Sequence, residues 1–273
     1  MPELPEVETV KNGLIKKVKG RKIINAKVLW DGIIAYPDKE TFIKEIAGET
    51  INDITRRGKY LMFILDNYYL TSHLRMEGKY FIKEPTELLS KHDHVIFSLD
   101  NGMELRYNDT RKFGKMHLVK KDELFNSPVS KLGKEPWDKD LTVDYLKNKL
   151  NRKLAIKSLL LDQSIITGIG NIYADEILFA SRINPETNGS DLTDKNLTDI
   201  IANTRTILAK AIELGGTTIH TYTAVDGITG RFQQELLVHG KKDMPCPNCH
   251  TKIEKIVVNT RGTYYCPRCQ KKH

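Results

Sequence analysis

The alternation of hydrophobic and polar residues predicts strands in much of the first half of the chain. Across residues 21–119 the pattern is mostly strand-like, as in residues 59–65 and 94–99. Short apolar or alternating runs bounded by turn-forming residues are typical of β-strands. Asp-Asn-Gly at 100–102 separates the second run from residues 103–107, and Asn-Gly tolerates the positive φ that tight turns need. We therefore predict an antiparallel hairpin at this point.

The N-terminus has the pattern of a helix start. Prolines and acidic residues occupy the first turn, and Val7, Val10 and Leu14 fall on one stripe. Proline and acidic side chains are favoured at helix N-termini, and such a stripe is typical of the buried face of an amphipathic helix. We therefore predict that the first residues of the chain lie beside a rigid helix.

The second half of the chain is predicted to be helical. A polar stretch with two prolines and a glycine indicates a linker near residues 126–140. Beyond it, apolar residues recur at helical spacing until about Gly215. The clearest helix covers residues 193–214, and two shorter ones are predicted over residues 154–162 and 171–181.

The composition is that of an ordinary soluble protein with an excess of positive charge. Its 43 Lys and Arg exceed its 35 Asp and Glu, which gives a net charge of +8. A basic surface favours an anionic partner such as nucleic acid or an acidic membrane. The acidic N-terminus lacks a secretory signal pattern, and no apolar run approaches the roughly 20 residues of a membrane span. These features predict a cytoplasmic protein.

Four cysteines near the C-terminus form two C-x-x-C pairs. Sixteen residues separate the pairs, which are Cys246 with Cys249 and Cys266 with Cys269. This spacing is typical of four-cysteine zinc sites, and in a reducing compartment such pairs bind metal rather than form disulfides. Because four thiolates complete a tetrahedral coordination sphere, we predict one structural zinc ion.

The segment around these cysteines carries most of the excess charge. Residues 239–273 contain eight Lys and Arg against two Asp and Glu. The residues between the cysteine pairs can form a hairpin whose tip carries Arg261. The local charge favours contact of this tip with a phosphate backbone over a ribbon that only caps the core. We interpret His250 and His273 as surface residues, because the cysteines already complete the ligand set.

Three motifs carry a resemblance to one family of enzymes. Residues 1–9 (MPELPEVET), 167–176 (TGIGNIYADE) and 261–270 (RGTYYCPRCQ) resemble the bacterial formamidopyrimidine-DNA glycosylases (Fpg) of the Fpg/Nei superfamily. The motifs occur in the order found in that family, and the chain has the family's length and terminal zinc finger. The resemblance therefore extends from one end of the chain to the other.

The resemblance implies an α+β fold with two domains. These are an N-terminal β-sandwich flanked by helices and a C-terminal helical domain with a helix-two-turn-helix motif and a four-cysteine zinc finger, with DNA in the cleft between them. The expected division is 2–130 for the catalytic sandwich, 131–240 for the helical DNA-binding domain and 241–273 for the zinc-finger module. We expect a monomer that acts on double-stranded DNA containing oxidised bases or abasic sites, with one structural zinc ion and no organic cofactor.

The activity implied is that of a bifunctional DNA glycosylase and abasic-site (AP) lyase of base excision repair. Such an enzyme removes 8-oxoguanine and formamidopyrimidines and nicks the strand by β,δ-elimination. Its nucleophile would be the secondary amine of Pro2, which is free only if Met1 is removed. Glu3 resembles the general acid/base, Glu6 would support it, and Lys59 belongs to the same catalytic group. From the residues alone, Pro2 is better explained as a helix-starting proline.

The resemblance also implies a set of DNA contacts. Chemistry on a base requires the nucleotide to leave the duplex, which costs roughly a few kcal/mol. A wedge formed by Met76, Arg111 and Phe113 would fill the emptied stack, with the guanidinium paired to the orphaned cytosine. Spacing alone would place Met76 and Phe113 in the core. The residues expected to grip phosphates around the lesion are Lys59, His73, Asn171 and Arg261.

Two other functions fit the same features. One is the oxidised-pyrimidine branch of the same superfamily, which shares Pro2 and Glu3. The other is a non-catalytic zinc-ribbon nucleic-acid binder, for which basic charge and a ribbon suffice. Residues 215–230 correspond to the region that covers the flipped base in the family. His239 departs from the family pattern, in which tyrosine is usual at that position.

Overall fold

The computed structural model describes residues 1–217 and 230–272 of the chain. These residues form two units. The first unit contains Met1–Lys131 and Gly215–Gly230, and the second contains Leu132–Leu214 and Arg231–His273. The division after residue 131 falls inside the stretch that the sequence indicates as a linker.

Nine strands make up the two sheets of the first unit. They are β1 (Ile23–Val28), β2 (Ile34–Tyr36), β3 (Asp53–Arg57), β4 (Tyr60–Ile64), β5 (Tyr68–His73), β6 (Lys79–Lys83), β7 (Asp93–Leu99), β8 (Glu104–Asn108) and β9 (Lys115–Lys120). One sheet has the order β1-β7-β8-β6 and the other β2-β9-β5-β4-β3. All neighbours are antiparallel except β2 and β9. Apolar side chains of both sheets form one buried cluster, so the predicted β-sandwich is confirmed.

The hairpin predicted around residues 100–102 joins β7 to β8. The two strands pair in antiparallel register, with Phe97 opposite Leu105. Gly102 has a φ of +79° at the end of the turn, a conformation that glycine adopts without steric cost. The hairpin prediction is therefore confirmed.

Two helices flank the sheets of the first unit, α1 (Leu4–Val18) and α2 (Lys39–Ile46). The predicted stripe of α1 is buried in the core, since Val7, Val10 and Leu14 are at most 1% exposed. Helix α2 was not predicted, because the pattern across residues 21–119 indicated mostly strands. This helix starts where the side chain of Asp38 accepts a hydrogen bond from a backbone N–H one turn later. Only two of its residues are buried, too few to give a helical period in the sequence.

The second unit is built on four helices: α3 (Val143–Leu150), α4 (Ile156–Leu161), α5 (Asn171–Ala180) and α6 (Asp194–Glu213). Three of them match the predicted helices within two residues at each end. The N-terminus of α6 is capped by Thr193, whose hydroxyl accepts from the N–H of Asn196 at 3.2 Å. Helix α3 follows the linker and starts at a similar cap, Thr142, and was not predicted from the sequence.

A two-stranded hairpin, β10 (Glu254–Val258) and β11 (Arg261–Tyr265), completes the second unit. Asn259 and Thr260 form its turn with φ values of +44° and +67°. Arg261 is the first residue after this turn, so the predicted position of Arg261 at the hairpin tip is confirmed. None of the helices in the described ranges combines the length and the apolar character needed to cross a bilayer.

Candidate active site

The N-terminus of α1 is a buried polar site. Pro2 is buried, and the side chains of Glu3 and Glu6 belong to residues only 2% and 3% exposed. Glu3 is the N-cap of the helix, and its backbone N–H donates to Glu6 Oε2 at 2.9 Å. The same capping geometry that starts the helix therefore brings both predicted carboxylates beside Pro2.

Glu6 has a second partner far away in the sequence. Its Oε1 accepts hydrogen bonds from the backbone N–H of Thr217 at 2.7 Å and from the Thr217 hydroxyl at 3.0 Å. Gly216 has a φ of +78°, and a methyl group there would lie 2.6 Å from Glu6 Oε1. Only glycine permits this approach of the backbone to the carboxylate. Residues 218–229, most of the segment expected to cover the flipped base, lie outside the described residues.

The amino group at the start of the chain lies among charged side chains. Burial lowers the pKa of the Met1 amino group, and Lys59 acts in the same direction. Glu3, Glu6 and Glu77 oppose this shift, but burial is the larger effect. An amine in these surroundings loses its proton at lower pH than an exposed one, and only the unprotonated amine is nucleophilic.

Lys59 and His73 lie next to each other at one end of β4 and β5. Lys59 is 6% exposed and immediately precedes β4, whose first residue, Tyr60, is the register partner of His73. Burial lowers the pKa of His73 to about 3, and the positive charges of Arg75 and Lys59 act in the same direction. His73 Nδ1 accepts the backbone N–H of Arg75 at 2.9 Å, so the proton of the neutral ring is on Nε2. The side chain can therefore donate a hydrogen bond to a phosphate oxygen.

The three predicted wedge residues occupy two exposed loops of the first unit. Met76 lies between β5 and β6 and is 37% exposed, and Phe113 lies between β8 and β9 and is 48% exposed. The guanidinium of Arg111 lies over the Phe113 ring, 4.7 Å from its centroid. Spacing alone would place Met76 and Phe113 in the core, but both side chains are exposed.

Asn171, one of the two predicted phosphate contacts of the second unit, bonds the residue next to the other, Arg261. Asn171 is the first residue of α5, and its side-chain amide donates to the carbonyl of Gly262 at 3.1 Å. Gly262 follows Arg261, whose side chain is exposed at the hairpin tip. The start of α5 and the tip of the zinc hairpin therefore lie side by side.

A buried ion pair that was not predicted from the sequence lies beneath this hairpin. Lys157 and Asp175 are at most 1% exposed and lie 2.7 Å apart. Lys157 Nζ also donates to the Thr263 hydroxyl at 2.8 Å and to the Gly262 carbonyl at 3.1 Å. Charged residues inside the apolar runs of α4 and α5 were the available signal, because such residues are rarely buried unless paired.

Two further contacts tie α5 to the residues before the zinc module. The carboxylate of Glu176 accepts the backbone N–H groups of three successive residues, 237–239, at 2.8 to 3.0 Å. Burial raises the pKa of Glu176, and these hydrogen bonds limit the increase. His239, which departs from the family pattern, places Nδ1 2.7 Å from Asp175 Oδ2. The departure thus adds a hydrogen-bond partner for Asp175, the carboxylate of the buried ion pair.

The four cysteines form a compact cluster with the geometry of a metal site. Their sulfur atoms lie within 4.8 Å of one another, and they are Cys246, Cys249, Cys266 and Cys269. Hydrogen bonds from Thr251 lower the pKa of Cys249 to about 6. Four thiol ligands from two knuckles fit a tetrahedral zinc ion, and two of the cysteines pack against Phe179 and Val238. His250 is exposed and His273 lies outside the described residues.

Three family domains match successive parts of the chain. Residues 1–116 match the formamidopyrimidine-DNA glycosylase N-terminal domain, and residues 132–223 match the formamidopyrimidine-DNA glycosylase H2TH domain. Residues 245–272 match a zinc finger found in FPG and IleRS. Together these matches account for most of the chain.

Known proteins resemble the chain over its whole length. Formamidopyrimidine-DNA glycosylase of Bacillus subtilis (strain 168) is 48% identical over 275 residues, covering 100% of each chain. A Lactococcus lactis Fpg in complex with DNA containing an abasic site has a TM-score of 0.93 and 41% identity, covering 99% of this chain and 100% of that one. A mutant of the same protein with DNA containing Fapy-dG has a TM-score of 0.93 and 40% identity, with the same coverage.

Proposed function

The chain belongs to the formamidopyrimidine-DNA glycosylase family, and on this premise we propose that it cuts oxidised purines from duplex DNA and then nicks the strand. It is a DNA-repair glycosylase with one structural zinc ion. The observation that carries the catalytic part of the proposal is the buried N-terminus. There Pro2 is buried among Glu3, Glu6 and Lys59, and burial lowers the pKa of the Met1 amino group one residue before it.

The proposed nucleophile is the secondary amine of Pro2 after removal of Met1. Its lone pair forms a bond to the sugar C1′ while the bond from C1′ to the base breaks, and the base leaves with a proton. Opening of the sugar ring gives an iminium ion that acidifies the C2′ hydrogen. Loss of this proton expels the 3′ phosphate, and a second elimination expels the 5′ phosphate. Each step needs a proton donor or acceptor but no redox partner.

The carboxylates and Lys59 have separate roles in this proposal. Glu3 protonates the ring oxygen and carries protons during elimination, since it is the carboxylate next to the nucleophile. Glu6 positions Glu3, because it accepts the Glu3 N–H while its other oxygen holds Thr217. Lys59 contacts phosphate, and its positive charge adds to burial in lowering the pKa of the amino group at the start of the chain.

DNA recognition is assigned to both units. In the first unit, neutral His73 donates Nε2–H to a phosphate, and the exposed side chains of Met76, Arg111 and Phe113 fill the space left by the flipped nucleotide. In the second unit, the phosphate contacts are assigned to Asn171 at the start of α5 and to Arg261 at the neighbouring hairpin tip. The arginine beside an aromatic ring supports pairing with the orphaned base.

We further propose three functional parts: the catalytic sandwich at 2–130, the helical DNA-binding domain at 131–240 and the zinc-finger module at 241–273. The protein is proposed to act as a monomer on nucleoid DNA in the cytoplasm. The limits of the matching family domains support these three parts. The zinc module shares a buried cluster with α5, so it belongs with the helical part for folding.

Borohydride trapping tests the proposal directly. The protein with Met1 removed is mixed with lesion-containing duplexes. In these, 8-oxoguanine or formamidopyrimidine lies opposite cytosine, and the oxidised pyrimidine lies opposite its normal partner base. We expect a covalent adduct through the N-terminus and faster cleavage of the two purine lesions. Preference for the oxidised pyrimidine would move the protein to the sister branch. Binding without any adduct would instead identify a non-catalytic zinc-ribbon protein.

A further inference from the structure

The two loops that carry the wedge residues lie side by side, and each connects one sheet of the first unit to the other. Loop A, residues 74–78, leads from β5 to β6, and loop B, residues 109–114, leads from β8 to β9. The residues that flank them are register partners, with His73 opposite Lys115 in one sheet and Lys79 opposite Asn108 in the other. Both ends of the two loops are therefore held at hydrogen-bonded strand spacing.

One buried hydroxyl lies between the two loops. Tyr107, at the end of β8, is 0% exposed, and its hydroxyl oxygen lies against Gly78 of loop A and Gly114 of loop B. A methyl group on either glycine would overlap this oxygen. The hydroxyl also donates toward Asp109 Oδ2 at 3.5 Å. The tyrosine therefore contacts both loops at the point where each rejoins a strand.

Asp109 organises loop B from the inside. Its carboxylate accepts the backbone N–H of Arg111 at 2.9 Å on one oxygen, and those of Phe113 and Gly114 at 2.9 and 2.8 Å on the other. Its own carbonyl accepts from His94 Nε2 at 2.8 Å. Asp109 is 0% exposed, so these bonds do not compete with water. The backbone that presents Arg111 and Phe113 is thereby fixed by one side chain.

A further hydrogen bond joins the loops near their tips. The hydroxyl of Thr110 in loop B donates to the carboxylate of Glu77 in loop A. Glu77 is the neighbour of Met76, and Thr110 is the neighbour of Arg111. The two loops are thus connected at the base by Tyr107 and at the tip by this pair.

We propose that Tyr107 and Asp109 are positioning residues that lock loops A and B into one rigid wedge. This inference rests on the proposed function, in which Met76, Arg111 and Phe113 enter the duplex. Ordering a flexible loop on binding would consume free energy needed for unstacking the base. Because the two residues fix the loops in advance, the three side chains enter the DNA together, and base flipping is faster.

The test compares two substrates in single-turnover kinetics. Tyr107→Phe removes only the hydroxyl, and Asp109→Asn keeps the shape while losing an acceptor. We expect each to slow excision of 8-oxoguanine from a duplex about tenfold, the effect of roughly one lost hydrogen bond. Cleavage at a preformed abasic site should stay within about twofold of wild type, because no base has to leave the stack. A 2-aminopurine beside the lesion should report correspondingly slower unstacking.

Two matched controls change the same residue types away from the two loops. Tyr145→Phe deletes a hydroxyl that donates to the backbone carbonyl of Ile165 at 2.9 Å, and Asp66→Asn alters a carboxylate that accepts the N–H of Thr50 at 2.8 Å. Both should excise at the wild-type rate. Equal slowing on the two substrates, or slowing by the controls, would overturn the locking proposal. A wild-type protein that traps on neither substrate would overturn the proposed function itself.

Discussion

The carboxylate of Glu6 holds Thr217 by two hydrogen bonds, at 2.7 Å from the backbone N–H and 3.0 Å from the hydroxyl. The other carboxylate oxygen accepts the N–H of Glu3. One buried side chain therefore connects the start of α1 with a segment more than two hundred residues later in the sequence. The position of Thr217 therefore depends on the carboxylate of Glu6.

Glu6→Gln should slow base excision by about tenfold or more. An amide has one acceptor oxygen where the carboxylate has two, so at least one buried N–H of Glu3 or Thr217 loses its partner, at a cost of about 1–3 kcal/mol. Single-turnover excision of 8-oxoguanine measures the effect. Glu8→Gln is the matched control on the same helix, since Glu8 pairs with Lys11 and Arg56 instead. Equal losses in the two variants would contradict the special position of Glu6.

Pro2→Gly, or an uncleaved N-terminal tag, should abolish strand cutting while binding to lesion DNA survives. A tag converts the nitrogen to an amide, which cannot attack C1′, and glycine replaces the fixed ring nitrogen by a flexible primary amine. Borohydride trapping and fluorescence anisotropy separate the two properties. Pro5→Ala removes a proline from the same helix start and should retain the adduct. Full cleavage by the tagged protein would exclude Pro2 as nucleophile.

Removal of zinc should weaken DNA binding rather than the chemistry. Without metal the knuckles that carry Cys246 and Cys266 lose their cross-link, and the hairpin with Arg261 loses its fixed position. Anisotropy with an abasic-site duplex should show a higher Kd after chelation and in Cys246→Ser, with recovery of the chelated wild type on adding zinc. Met244→Ser, an exposed change nearby, is the control. Unchanged affinity after verified metal loss would contradict the prediction.

Lys157→Met should reduce the free energy of unfolding by about 3 kcal/mol or more, because it leaves Asp175 buried without its cation. Chemical denaturation measures this change. The double variant Lys157→Met with Asp175→Leu should recover part of the loss, since neither charge is then buried alone. Strictly additive losses would show that the two side chains do not interact.

Stability should fall as the pH is lowered from about 6.5 towards 3, in part because of His73. Its pKa is about 3 in the folded protein, below its ordinary value, so the unfolded chain binds the extra proton first. The free energy of unfolding therefore rises with pH across this window and is lost as the pH falls. His73→Asn should flatten the curve, whereas His92→Asn, in a loop of the same unit, serves as the control. Parallel curves for wild type and His73→Asn would refute this.

The elements with a regular period were predictable from sequence, and the irregular ones were not. The buried stripe of α6, including Leu197, Ile201 and Leu208, repeats over five turns and fixed its ends within a residue. In α2 only Phe42 and Ile46 are buried, and two positions cannot distinguish a helix from a strand. The number of turns over which buried residues repeat therefore decided whether a helix could be predicted from the sequence.

For the site, local motifs were informative and long-range partners were not. The cysteine spacing predicted the cluster, because each pair comes from one tight turn. Nothing near Glu6 in the sequence indicates Thr217, and nothing near Tyr107 indicates contact with both Gly78 and Gly114. These pairs are created by the crossing of chain segments, which a local pattern does not encode. The Lys157–Asp175 pair was also not predicted, although a lysine within an apolar run is a local signal of a buried partner.

The hydroxyl of Tyr107 between two glycines also constrains how such a protein can diverge. Any side chain at 78 or 114 competes with that oxygen for the same space. A lineage that acquires alanine at either position must therefore first lose the hydroxyl, and one that loses the hydroxyl is free to drift at both. We expect the three positions to co-vary among homologues, with tyrosine inherited together with the glycine pair.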